Sequence, residues 1–164
     1  MNGHDIAVLY RAYGYVVFRR CLAYLADVGA ARAVMQQTFV RALRDRCSFH
    51  AYGDPQVWLC RVADEICVSI LHSNARNAIP RPELSPGQLR ASVADDDHDR
   101  LLKVLPLLHA LPPGEARFAV LFCLDELTED ELAQELGLSR RAVARRITQL
   151  LRSAPLHALE SSPC

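Results

Sequence analysis

Arg140, Arg141, Arg145, Arg146 and Arg152 are the only charged residues between Ser139 and Arg152. Guanidinium groups at that density suit a nucleic acid, since they pair with phosphates and grip guanine edges through two hydrogen bonds. Gln149 adds a base or phosphate contact. Just upstream the sign reverses, with Asp125, Glu126, Glu129, Asp130, Glu131 and Glu135 crowded together. A solvated arginine-rich helix in a bundle would look similar in charge alone, so the elements around the run must decide between the two readings.

No other residue set offers convincing chemistry. Cys21, Cys47, Cys60, Cys67, Cys123 and Cys164 contain no CxxC pair and match no zinc spacing, so they read as packing thiols. Cys60 and Cys67 are expected beside a buried helix face. Asp95, Asp96, Asp97 and Asp99 flank His98, but clustered carboxylates before a helix are ordinarily a solvated, dipole-favoured start. No second ligand set is visible, so neither a metal nor a cofactor is expected. His4, His50, His72, His98, His109 and His157 read as surface or capping residues. A glycine-rich phosphate loop, a GxSxG turn and a cysteine with histidine partners are all missing, which argues against catalysis and a small-molecule substrate.

The arginines sit in an element with clear punctuation. Thr128 and Glu131 form a capping box that starts one helix, Leu132, Ala133 and Leu136 share a face, and Gly137 follows where a left-handed turn is needed. Leu138 plugs the corner. Ser139 caps a second helix whose buried stripe is read as Val143, Ile147, Leu150 and Leu151. An acidic capped helix, a glycine corner and a basic second helix, in register, point to a DNA-reading helix-turn-helix.

With 164 residues and 51% hydrophobic content, the chain can bury one ordinary core or two small ones. Formal net charge is zero, so a nucleic-acid binder must concentrate its cations locally. Apolar runs are too short for a membrane span and the start lacks a secretory layout, giving a cytoplasmic expectation without membrane partners. The first block reads as helices: a short one with Ile6, Leu9, Tyr10 and Tyr13, another with Val17, Cys21, Tyr24 and Leu25, a third with Val34, Met35, Thr38, Phe39 and Leu43, and a fourth from Pro55 to Leu71. Pro80, Pro82, Pro86 and Gly87 mark the following stretch as an irregular linker. A second helical block begins near Arg100, with Pro106 expected to kink or split its first helix and Pro112 and Pro113 introducing another.

The order of these pieces, MQQTFVRAL, DPQVWLCRVADEIC, a proline-rich linker and LPPGEARFAVLFCLDELTEDELAQELGLSRRAVARRI, resembles bacterial sigma factors of the extracytoplasmic-function type. The resemblance implies an all-α fold of two small helical domains joined by a flexible linker: residues 1–72 like sigma region 2, 73–99 linker, 100–155 like the region 4 helix-turn-helix, 156–164 tail. It also implies core RNA polymerase and promoter DNA as partners. Such proteins are commonly held by an anti-sigma factor, which nothing in the residues identifies. Carried over by position, Gln36, Gln37, Phe39 and Arg41 fall in the polymerase-docking helix. Trp58, Arg61, Asn74 and Arg76 fall in the helix that opens the minus-ten element. Ser139, Arg140, Arg141, Ala144, Arg145, Arg146 and Gln149 fall in the helix that reads the minus-thirty-five element. Phe39 and Trp58 are expected to serve the core.

Some positions depart from the pattern. Ala30, Arg32, Ala33 and Gln37 stand where the docking helix often has carboxylates, and Asp64 and Glu65 would repel phosphates if they faced DNA. A second expectation therefore stays open: a sigma-like regulatory protein that binds DNA, polymerase or an anti-sigma partner but melts promoters poorly.

Overall fold

The structure is a computed structural model that describes residues 3–153, and among them the only regular structure is α-helix. The tail and its His157 and Cys164 lie outside the described residues. The chain separates into two compact units, one ending at Leu84 and the other beginning at Ser85. No described helix is long and apolar enough to cross a membrane.

The first unit consists of α1 (Gly3–Leu25), α2 (Val28–Arg44), α3 (Arg46–Ala51) and α4 (Pro55–Arg76). Two apolar runs read as separate helices are one continuous α1. Gly14 between them is buried and stays helical, at a cost of about 1 kcal/mol relative to alanine. Burial of Val17, Cys21 and Leu22 just beyond it outweighs that cost, at roughly 1.5–3 kcal/mol for each large apolar side chain. Asp27 starts α2 by accepting a 2.6 Å bond from the Ala30 amide. Asp54 starts α4 the same way, through the Gln56 and Val57 amides, with Pro55 in the first turn where no N–H is missed.

α1, α2 and α4 pack on one another around Val34, Leu59, Val62 and Cys67. Phe39 is buried and its ring lies 5.1 Å from that of Tyr10, while buried Trp58 meets Phe49 edge-on at 5.2 Å. Both aromatics belong to the core, as expected. The thiols behave as packing groups too. Cys21 and Cys67 are fully buried; a hydrogen bond from Cys21 and burial hold the Cys67 thiol far above its usual range. Burial pushes the Cys123 thiol up to about 11.

Within this core lies an ion pair. Arg20 on α1 donates from Nε to Asp64 Oδ1 at 2.6 Å and from Nη2 to Oδ2 at 2.9 Å, with both side chains almost fully buried. Asp64 therefore points inward and does not repel phosphates. Tyr24, buried beside it, has its phenol pushed well above the usual value by desolvation and by the Asp64 charge.

The second unit holds α5 (Pro86–Ser92), α6 (Asp95–Ala110), α7 (Pro113–Cys123), α8 (Glu129–Leu136) and α9 (Arg140–Ser153). Three local expectations need correction. α4 runs on to Arg76, and α5 forms inside the stretch read as irregular: Ser85 and Gln88 make a reciprocal capping box, Pro86 takes the first turn, and Leu89 is fully buried. α6 is not split at Pro106, because Pro106 and Leu102, whose carbonyl loses its partner, are both exposed and water can satisfy it. His98 is a core residue, since it shares a face with Leu101, Val104 and Leu108; its Nδ1 lies 3.5 Å from Asp99. The acids Asp95, Asp96 and Asp97 occupy the first turn of α6, and no cluster of metal-ligating side chains occurs among the described residues.

Removing one partner of a buried ion pair strands the other. Asp64→Ala should cost about 3–5 kcal/mol in denaturant unfolding, whereas replacing the pair together with Arg20→Met and Asp64→Leu should cost much less. Equal losses in the two variants would show that packing volume, not charge pairing, is what the site supplies.

Candidate nucleic-acid interface

The basic helix is positioned by local bonds that its sequence specifies. Thr128 Oγ1 accepts from the Glu131 amide at 3.3 Å, and Glu131 Oε2 accepts from the Thr128 amide at 2.8 Å. These bonds hold the Glu131 carboxyl below its ordinary value. Gly137 closes α8 at φ 63°, ψ 34°, a left-handed geometry that suits glycine. The Leu138 amide then donates to Ala133 O at 2.9 Å, and Ser139 Oγ accepts from the Ala142 amide at 3.2 Å to start α9.

Rotation of α9 follows from its apolar side. Val143 and Leu150 are buried and Ile147 half-buried. Leu151, read as part of that stripe, is instead 43% exposed. At about 100° per residue it lies roughly 80° from Val143, off the seam. On the same wheel Arg141, Arg145, Thr148 and Arg152 fall within an arc of about 60° opposite Val143 and Leu150. All four are exposed, as is Gln149 at the arc's edge.

The remaining predicted DNA residues sit elsewhere on the helix. Arg140 lies on one flank and reaches Asp130 of α8 at 3.0 Å, in an exposed pair. Arg146 lies on the other, half-buried, with its guanidinium carbon 5.9 Å from the Phe118 ring centroid on α7. Ser139 is the cap and Ala144 is half-buried. Of the nearby acids, Glu135 pairs with Arg117 at 3.0 Å and Glu126 with Arg100 at 3.1 Å. Among the described residues no carboxylate is bonded to Arg141, Arg145 or Arg152.

In the first unit the minus-ten candidates are not one cluster. Trp58 is core, Arg61 is half-buried, and Asn74 and Arg76 lie about 20 Å further along α4. Arg61 donates to the hydroxyl of Tyr52, and its guanidinium carbon is 5.3 Å from the Tyr52 ring. Sequence reasoning missed Tyr52, although an aromatic beside Gly53 in a short loop was a usable signal. An exposed aromatic with an adjoining guanidinium can stack an unpaired base. Of the polymerase candidates, Gln36, Gln37 and Arg41 line an open cleft of about 770 Å³ that Ile66 of α4 also borders. Phe39 faces away from it, into the core.

No family profile matches the chain. Over 162 residues it is 28% identical to the ECF RNA polymerase sigma factor SigC of Mycobacterium tuberculosis, covering 93% of this chain and 85% of that protein. The same figures hold for a probable RNA polymerase sigma-C factor of Mycobacterium bovis. The ferric citrate uptake sigma factor FecI of Escherichia coli is 26% identical over 131 residues, covering 77% of this chain and 75% of its own. The chain is a relative of the extracytoplasmic-function sigma factors. Like the fold expected of them, this sigma-factor relative is all-α, with its helix-turn-helix in the second unit.

The two kinds of arginine on α9 should separate by stability. Arg146→Ala should lower the unfolding free energy by about 1 kcal/mol, through the lost aromatic contact and stem packing. Arg141→Ala should stay within about 0.5 kcal/mol of the parent. Chemical denaturation of both variants checks this, and a larger loss at Arg141 would mean that its side chain is not turned to solvent.

Proposed function

We propose that the chain is an alternative sigma factor: it binds core RNA polymerase and directs transcription initiation at a set of promoters, without catalytic chemistry of its own. The observation that carries this reading is the outward arc of Arg141, Arg145 and Arg152 on a helix fixed by a capping box and a glycine corner. Those guanidinium groups contact phosphates and base edges of the minus-thirty-five element, with Gln149 beside them. Arg140 and Arg146 chiefly hold α9 against its neighbours. The names of the relatives support core polymerase and promoter DNA as partners.

α4 serves the minus-ten element. Asp64 is withdrawn into the core, and exposed Glu65 is engaged by Arg41 at 3.2 Å, which removes much of the repulsion its sequence implied. One observation favours the second reading, of a protein that binds promoters but opens them poorly. Between Glu65 and Arg76 the exposed side of α4 carries Ser69, His72 and Ala75, with Arg76 as the sole arginine or lysine.

Two measurements test this. Arg141→Ala with Arg145→Ala should weaken duplex binding and reduce the slope of log K against log salt by about two, since each phosphate contact contributes about 0.9. An unchanged slope removes the arc from the interface. In reconstituted transcription with core polymerase, a sigma factor yields transcripts from a fully paired cognate promoter. Transcripts only from a template melted beforehand would select the second reading.

A further inference from the structure

We propose that the α2–α4 cleft is the docking groove for a carboxylate-bearing amphipathic helix of the polymerase. This rests on the polymerase-binding reading and adds the charge of the partner segment, which that reading leaves open.

The inference starts from what α2 lacks. Its sequence, VGAARAVMQQTFVRALR, contains three arginines and no aspartate or glutamate. Ala33, Gln36, Gln37, Val40 and Arg44 recur every three or four residues on one side, all of them exposed, and with Ile66 they line the cleft. That row spans roughly 16 Å, about three helical turns, the length over which a helix-in-groove contact places successive anchors. Val40 is 44% exposed and supplies an apolar floor with Ala33 and Ile66.

Polarity around the floor is uneven. The carboxylates at its edge, Asp45 and Glu65, both turn to Arg41, at 3.5 and 3.2 Å. Arg44, one turn further on, makes no ion pair with any described residue, and Arg32 at the opposite end of the row makes none either. Summed over Arg41, Arg44, Asp45 and Glu65 the charge cancels, so the surface is no general anion trap. It is an apolar groove with an uncompensated guanidinium at its α2 end and glutamine amides along its length. The complementary ligand is a helix whose apolar ridge meets Val40 and Ile66 and whose carboxylate reaches Arg44. A basic helix would set like charge against Arg44 and find no acid on α2.

The test is the sign of the effect of charge on binding to core polymerase, measured by titrating labelled full-length protein. Arg44→Glu should weaken binding at least tenfold and Gln37→Glu about threefold. Val40→Asp should weaken it whatever the partner's charge, because it spoils the apolar floor. Unfolding midpoints close to the parent's are expected at these exposed positions, and Arg44→Gln guards against a helix-end effect by lying between parent and Arg44→Glu. Tighter binding by Arg44→Glu and Gln37→Glu, with Val40→Asp still weakened, overturns the acidic partner and leaves the polymerase reading intact. Parent-like binding by all three variants removes the cleft from the interface and overturns the inference. Failure of the parent to bind core polymerase overturns both.

Discussion

The functional surface depends on the burial of Val143 and Leu150. A helix has one degree of freedom on a scaffold, its rotation, and an apolar seam fixes it. Each of those side chains contributes roughly 1.5–3 kcal/mol on burial, whereas an exposed ion pair such as Arg140–Asp130 contributes about 0–1. The seam therefore wins, and it places Arg141, Arg145 and Arg152 opposite itself. Arg140 and Arg146 are left on the flanks, where an acid and an aromatic ring of neighbouring helices meet them. A run of five arginines that looks uniform in sequence becomes two populations with different work.

A comparable sorting occurs in the first unit. The adjacent carboxylates Asp64 and Glu65 point in different directions because α4 is packed on α1 through one of them. The bidentate bond to Arg20 satisfies Asp64 where water cannot reach it, and it ties α1 to α4 with a geometry that an apolar contact would not specify. Glu65 remains at the surface and meets Arg41 of α2. Polar pairs thus join α4 to both helices it packs on, one buried and one at the cleft.

What was legible in the sequence was mostly local. The helix-turn-helix could be read because its determinants, Thr128 with Glu131, Gly137 and Ser139, act within four residues of themselves. The core placement of Phe39 and Trp58 followed from residue type and helical register. The Arg20–Asp64 pair could not be read, since its partners lie 44 residues apart and only packing brings them together. α5 was legible and misjudged: Ser85 and Gln88 have capping-box spacing, but Pro86 and Gly87 were weighed as breakers although proline suits a first turn. Pro106 was overrated because its cost depends on whether the freed carbonyl is buried, which sequence does not reveal. His98 was misassigned for the converse reason, that a polar residue on an apolar face follows its face.

The central claim is that the arc opposite Val143 and Leu150 faces DNA. Thr148 lies within that arc and carries no charge, so a photoreactive residue there probes the surface without removing a guanidinium. In a complex of the protein with core polymerase and promoter, Thr148 should crosslink to duplex DNA upstream of the start site, while the same probe at Asp130 on α8 should crosslink far less. Crosslinking of Thr148 to polymerase alone, with the promoter still bound, would contradict the account.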